Sequence, residues 1–379
     1  MYKIQWGDLS PAQFLTEYWQ KKPLLIKGAF KHFVDPIEPN ELAGLAMEQE
    51  VESRIIRNLH QQWQVEHGPF DDFSQLGDSH WTLLVQAANN WSANTQQLID
   101  PFQFIPNWRI DDVMISFSTP QGGVGAHVDQ YDVFIIQGQG KRHWQVGLPD
   151  DSLEQILSAP DLKQVSAFTP FIDTYTEPGD LLYIPPNHPH QGSAIEPSLN
   201  YSIGFQAPNS QELWSFFADQ LIDNAEGLVR FSDQQRTISN NPELLTQQDL
   251  LSLKHFMFKQ LSEQRIAQVF GLFLTQAHHE LDLLEPDLAI NPEQLTSLLA
   301  QSQRMLKPVL GIKALIIDST NYLYINGIEF SFDLTTQVLA RKLALNAAFP
   351  VTEIADYLDC LKNQQLLTTV MNKGFWYLD

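Results

Sequence analysis

Between residues 51 and 206 the chain is cut into short apolar runs, RIIRNL, DDVMISFS, YDVFIIQG, KRHWQVG, LLYIPP and LNYSIGF, separated by glycine, proline and asparagine. Runs this short, rich in β-branched and aromatic residues, predict many brief strands closed into a sandwich or small barrel. The text before them is helical. Ser10 is placed as an N-cap, Pro11 at the first helical position and Gln13 to complete a capping box, with Phe14, Leu15 and Tyr18 on one face. A second helix is expected after Asn40.

After FQAPNS the apolar period becomes helical in QELWSFFADQLIDNA, LLTQQDLLSLKHFMFKQL and RIAQVFGLFLTQAHHELDLL. LWSFF and VFGLFL carry more apolar residues than a surface helix needs, which packing against the β-rich part would explain. Pro286 and Pro292 punctuate a linker. Beyond it come a helix, the stretch ALIIDSTNYLYINGIEF with a hairpin turn at Asn326-Gly327, two more helices and the aromatic strand GFWYLD, a small α+β domain of winged-helix type. A chain of 379 residues exceeds one small core, and these shifts divide it at 1–207, 208–285 and 286–379.

With 43% hydrophobic and 18% charged residues the whole chain should fold. Its net charge of −22 repels nucleic acid and anionic membrane and suits a basic protein partner. Residues 301–379 hold seven basic and seven acidic side chains, so the excess lies in the first 300 residues and the winged helix is a poor reader of DNA. No stretch has the ~18 apolar residues of a membrane span and the N-terminus lacks a cleavage signal, so the expected location is cytoplasmic. The single cysteine, Cys360, reads as a buried apolar residue, and any metal must be held by histidine and carboxylate.

GAHVDQYDVF supplies such a pair. On a strand, His127 and Asp129 project to one face, close enough to share a cation. H-x-D alone is more often two solvated polar residues, but here it follows the glycine-rich PQGGVGA and precedes YIPPNHPHQGSA, where His188 and His190 both stand within strand parity of a third ligand. Two histidines and one carboxylate leave coordination positions open, as in non-haem Fe(II) oxygenases. GQGKRHW is only weakly like a phosphate loop and reads as a hairpin turn.

VDQYDVFIIQGQGKRHW, EPGDLLYIPPNHPHQG and NYSIGFQAP together resemble the JmjC-type, cupin-fold 2-oxoglutarate oxygenases, and among them the bacterial ribosomal oxygenases that hydroxylate an arginine of large-subunit ribosomal protein L-sixteen. The similarity runs the length of the chain. It implies an α+β protein: a double-stranded β-helix (cupin/JmjC jelly roll), a helical segment that makes a homodimer, and a winged-helix-like end. It implies Fe(II) held by His127, Asp129 and His190, with 2-oxoglutarate and dioxygen as co-substrates and a basic ribosomal protein as partner, and it leaves His188 at the rim. The far carboxylate of 2-oxoglutarate needs a fork of donors. Strand alternation turns Arg142 inward with Trp144 and Val146, which agrees with the position the resemblance implies; Ser118 matches the hydroxyl beside it. Asn200 and Tyr201 are candidates for supporting hydrogen bonds, and Tyr131, Asp132, Asp111 and Asp112 for holding a substrate guanidinium. The competing expectations are the same chemistry on a histidine or small molecule, a zinc-dependent cupin, and a non-enzymatic metal-binding cupin/winged-helix regulator.

Overall fold

A computed structural model describes residues 2–59, 62–299, 304–318 and 320–379. They form two compact units. The first is the chain to Ala207 together with Ala277–Glu285 and Pro308–Ile312; the second comprises Pro208–Gln276, Pro286–Lys307 and Lys313–Asp379.

In the first unit the elements follow as α1 (Pro11–Glu17), β1 (Leu24–Ile26), α2 (Pro39–Leu45), β2 (Ser53–Leu59), β3 (Gln62–His67), β4 (Trp81–Val85), α3 (Ala93–Gln96), β5 (Ile110–Ser118), β6 (Asp132–Gln137), β7 (Arg142–Gly147), β8 (Gln155–Ala159), β9 (Leu162–Val165), β10 (Pro170–Thr176), β11 (Leu181–Ile184), β12 (His190–Ala194) and β13 (Ser198–Phe205). An eight-stranded sheet has the order β1-β11-β6-β13-β5-β4-β2-β3 and a three-stranded sheet the order β10-β7-β12. β6, β11 and β13 lie in the large sheet and β7, β10 and β12 in the small one, while β8 and β9 pair with each other, so the chain crosses repeatedly from sheet to sheet in the weave of a jelly roll. The segment Gly138–Lys141 is therefore not the expected hairpin turn: β6 pairs with β11 and β13, β7 with β10 and β12, and the connection crosses from one sheet to the other.

The large sheet separates two interiors. Phe134 and Ile136 of β6, Val113 and Ile115 of β5 and Tyr201, Ile203 and Phe205 of β13 point to a core completed by α1 and the loops around it. Phe14 anchors α1 there, with its ring 4.9 Å from Tyr183 and 5.4 Å from Phe134. The capping box at Ser10 and Gln13 forms as expected. Leu15, though, is 36% exposed rather than packed beside Phe14, and α2 begins before Asn40 with Pro39 in its first turn. The other face of the large sheet looks toward the small one: Val133, Ile135, Leu182 and Ile184 meet Trp144 and Val146 in a dry wall.

The second unit contains α4 (Ser210–Asp223), α5 (Gln247–Phe258), α6 (Glu263–Thr275), α7 (Pro292–Leu299), β14 (Met305–Pro308), β15 (Ala314–Ile316), β16 (Tyr322–Ile325), β17 (Ile328–Ser331), α8 (Gln337–Ala344), β18 (Phe349–Pro350), α9 (Leu361–Asn372) and β19 (Trp376–Leu378). Asn326 and Gly327 both take positive φ, 47° and 73°, the geometry that a two-residue hairpin between β16 and β17 demands. α6 lies on this sheet with Gly271 against the Tyr324 ring, where a side chain of any size would collide. The helix stops at Thr275 and Gln276 turns extended, so QAHHELDLL does not continue the helix as expected, and from Ala277 on it belongs with the first unit. Cys360, expected to be buried, is half-buried and occupies the N-cap position of α9 without a side-chain capping bond. Among the described residues no helix is long and apolar enough to cross a membrane.

Candidate active site

The H-x-D segment is not inside a strand. β6 begins at Asp132, and His127 forms an isolated antiparallel bridge with His190 at the start of β12, each amide donating to the other's carbonyl at 3.0 and 2.9 Å. Residues 121–127 run along β12, as the Gln121 amide to Ala194 carbonyl and Ala194 amide to Gly122 carbonyl bonds show. Contact this close needs the glycines: a Cβ on Gly123 would lie 2.3 Å from the Gly192 carbonyl oxygen, and one on Gly192 2.9 Å from the Trp144 ring.

The bridge brings the two imidazoles together, tilted by 56° with centroids 4.2 Å apart. Asp129 Oδ2 lies 3.9 Å from His127 Nε2 and 3.5 Å from His190 Nε2. His127 Nδ1 pairs with the Gly125 carbonyl at 3.0 Å and His190 Nδ1 with its His188 counterpart at 2.9 Å. A carbonyl can only accept, so each Nδ1 carries the proton and each Nε2 lone pair is turned to the carboxylate. Burial, with the neighbouring His127, pushes His190 down to about 4 and leaves it a neutral donor near pH 7. Two imidazole nitrogens and one carboxylate oxygen fit a divalent iron ion. His188 is buried too, but its Nδ1 is tied to the Pro186 carbonyl at 2.9 Å and it lies outside the cluster.

Arg142 occupies the other end of the same cleft, from the small sheet. It is 4% exposed, and its guanidinium meets three hydroxyls: Ser118 at 2.8 Å, Ser198 at 3.2 Å and Ser116 at 3.3 Å. The register explains the convergence, for Ser198 of β13 stands opposite Ser118 of β5, which stands opposite Thr82 of β4. Ser118 also bonds Thr82 at 2.8 Å. None of these partners is an anion. Burial pushes Arg142 down to about 9, still charged at neutral pH.

Beyond the histidines the cleft is lined by Gln86, Asp112, Met114, Tyr131, Ser202 and Gly204. Of the acids considered for a substrate cation, Asp112 is in it. Asp132 is not: wholly buried on the opposite face of β6, it accepts from Tyr183 at 2.6 Å, Gln20 at 2.9 Å and Arg109 at 3.3 Å. It ties the turn after α1 to the sheet. Asn200 lines the cleft and donates to Gln137 at 3.2 Å, whereas Tyr201 points into the large core and bonds Asp35 at 2.8 Å. Ser116, Ser198 and Thr82 were not singled out in the sequence; the alternation of two serines in MISFS was the only hint.

The fold and this cleft define a JmjC-domain protein, and a family model for the JmjC domain matches residues 97–213, followed by a ROXA-like winged helix over 223–377. The ribosomal protein uL16 3-hydroxylase of Escherichia coli (strain K12) is 41% identical over 377 residues, 99% of this chain and 98% of that protein. A structure of the E. coli ribosomal oxygenase YcfD in complex with cobalt and 2-oxoglutarate superposes with a TM-score of 0.91 at 40% identity, covering 100% of both chains; one of the same protein with cobalt and succinic acid gives 0.91 at 39%, again over 100% of each. The chain belongs to this family of JmjC-domain ribosomal oxygenases.

Proposed function

We propose that this protein is an Fe(II)- and 2-oxoglutarate-dependent hydroxylase of a ribosomal protein, acting on an arginine of uL16. One observation carries the reading: a buried guanidinium with no carboxylate partner among the described residues shares a cleft with two histidines and an aspartate whose donor atoms lie within 4.8 Å of one another. An uncompensated buried charge costs several kcal/mol, and a dicarboxylate reaching from Arg142 to the metal offsets it. His127, Asp129 and His190 would hold the iron, and Arg142 with Ser118, Ser116 and Ser198 the far carboxylate of the co-substrate. Bound there, Fe(II) supplies the oxidising chemistry that couples decarboxylation of 2-oxoglutarate by dioxygen to insertion of one oxygen atom into a substrate C–H bond.

The protein's own groups orient and exclude water. Trp144, Val133 and Ile135 keep the cleft between the two anchors apolar. Asp112 receives the substrate guanidinium, with Met114 and Tyr131 against its methylenes, and so sets a target carbon before the metal. No side chain has to act as acid or base. The named activity of the E. coli relative and the 2-oxoglutarate held by YcfD support this assignment.

The rest of the chain serves that cleft. Ile222, Leu228, Val229, Leu245, Leu251 and Met257, in and between α4 and α5, are each at least half exposed, more apolar surface than one small unit leaves to water. A second copy covers it, making a homodimer of a β-rich catalytic part (1–207, with 277–285 packed on it), a dimerisation segment (208–276) and a winged-helix-like end (286–379). The acidic surface favours a basic ribosomal protein over direct binding to nucleic acid, and such a substrate places the enzyme in the cytoplasm. The test is succinate release in the presence of a uL16 fragment: the reading requires release that needs Fe(II) and is accelerated by the fragment, and is wrong about the substrate if the fragment has no effect.

A further inference from the structure

Asp112 is the buried acid of the cleft, and its two oxygens are treated differently. Oδ2 accepts from the Ala87 amide at 2.8 Å and from Gln86 Nε2 at 2.7 Å, while His279 Nε2 stands 4.0 Å away, within reach of an ion pair. Oδ1 faces Gly204, where a methyl group would come within 3.3 Å of it. One oxygen is held and the other is presented to the cleft.

The holding groups come from distant parts of the chain. Gln86 follows β4. Ala87 adopts left-handed backbone, φ 47°, a conformation uncommon outside glycine, which aims its N–H at the carboxylate as the chain enters the turn Ala88–Asn90. His279 arrives almost 170 residues after Asp112, on the segment Ala277–Glu285 that packs with the β-rich unit. That segment is pinned on both sides of His279: His278 Nδ1 pairs with Asp111 Oδ1 at 2.6 Å, the Glu280 carbonyl accepts from Asn90 at 2.9 Å, and Leu281 is buried. The His279 ring stands between Glu52, 3.2 Å from Nδ1, and Asp112, 4.0 Å from Nε2, so each ring nitrogen faces a carboxylate.

Burial and the charge of Asp111 push the Asp112 carboxyl above its ordinary value, and His279, Ala87 and Gln86 pull it back. An acid that accepts a cation in a desolvated cleft must be kept ionised and aimed. We propose that Gln86 and His279 are positioning residues of the hydroxylation, acting through Asp112, and that the segment after α6 is therefore part of the substrate site. This rests on the reading of Asp112 as acceptor for the substrate guanidinium. Nothing in the sequence joins QAHHE to the strand DDVMISFS; only the fold does.

The test is calorimetric Kd for an arginine-containing uL16 fragment and, separately, for 2-oxoglutarate, on the full chain carrying Asp112→Asn, Gln86→Met, His279→Phe or His279→Gln. Phenylalanine keeps the ring's bulk without a donor, and glutamine keeps a donor without the bulk. Losing the hydrogen bond from Gln86, or the facing donor of His279, to a charged group predicts a rise in fragment Kd of about tenfold for Gln86→Met and His279→Phe, about twofold for His279→Gln, and about a hundredfold for Asp112→Asn. The 2-oxoglutarate Kd, set at Arg142, stays near the parent value. An unchanged fragment Kd in Asp112→Asn would remove the reading of Asp112 itself. A loss there with no loss in Gln86→Met and His279→Phe, or with glutamine worse than phenylalanine at 279, overturns the positioning role and leaves Asp112 in place. Loss of 2-oxoglutarate binding in either positioning variant marks collapse of the cleft and overturns it as well.

Discussion

Replacing Arg142 by methionine separates what the guanidinium does for the co-substrate from what it does for the fold. Methionine matches the length of its aliphatic stem and leaves the wall beside Trp144 apolar. On binding, the variant loses a buried, forked, charge-assisted pair, and truncating one partner of such a pair costs about 2–5 kcal/mol, a rise in 2-oxoglutarate Kd of roughly 30-fold to several thousandfold. Stability moves the other way. In the free protein Arg142 carries a buried charge whose partners are only hydroxyls, so its removal relieves a penalty of several kcal/mol. Against this, Ser116 and Ser198 lose a partner, at about 1–3 kcal/mol each, while Ser118 keeps Thr82. The two nearly cancel. Thermal unfolding should therefore place the free variant within a few degrees of the parent, while the upward shift of the parent in saturating 2-oxoglutarate disappears. A variant that binds 2-oxoglutarate like the parent would refute the assignment of the anchor. One that unfolds ten degrees lower without ligand would refute the account of an uncompensated charge and make Arg142 a structural residue.

Other substitutions follow from the same geometry. His190→Ala should abolish Fe(II) binding and turnover, measured by metal content after anaerobic loading, whereas His188→Ala should keep both, because His188 lies outside the cluster. Gly123→Ala should lower activity by about tenfold or more with the β-core intact by circular dichroism, since the new methyl meets the Gly192 carbonyl and displaces the segment that carries His127. Val229→Glu with Leu251→Glu should yield monomers by light scattering at micromolar concentration. A dimer of unchanged mass would show that another surface joins the copies.

The strands, the crossing of helical and β text, and the H-x-D with its distant histidine were legible because hydrophobic period and residue type are local properties. Arg142 was legible for a related reason: only one parity of KRHWQVG buries Trp144 and Val146, and it takes Arg142 with them. What failed needed pairing. His127 sits in a bridge rather than a strand because its partner is His190, some sixty residues away. The loop before Arg142 looked like a hairpin because sequence adjacency hides that β6 and β7 lie in different sheets. Ser116 and Ser198 became visible only through the register of β5 against β13. Asp132, adjacent to Tyr131, left the list of substrate acids because one residue of strand reverses the face. The helical period of RIAQVFGLFLT ran on into QAHHELDLL, which concealed two histidines that lie against Asp111 and Asp112.

The central claim is oxygen transfer to an arginine by a metal held at His127, Asp129 and His190. Mass spectrometry of a uL16 fragment after incubation with this protein, Fe(II), 2-oxoglutarate and air tests it most directly. The account predicts a gain of one oxygen on an arginine, dependent on both Fe(II) and 2-oxoglutarate and absent from Asp129→Ala. An unmodified arginine under conditions where 2-oxoglutarate is consumed would contradict the substrate, and an oxygen gained equally with Asp129→Ala would contradict the site.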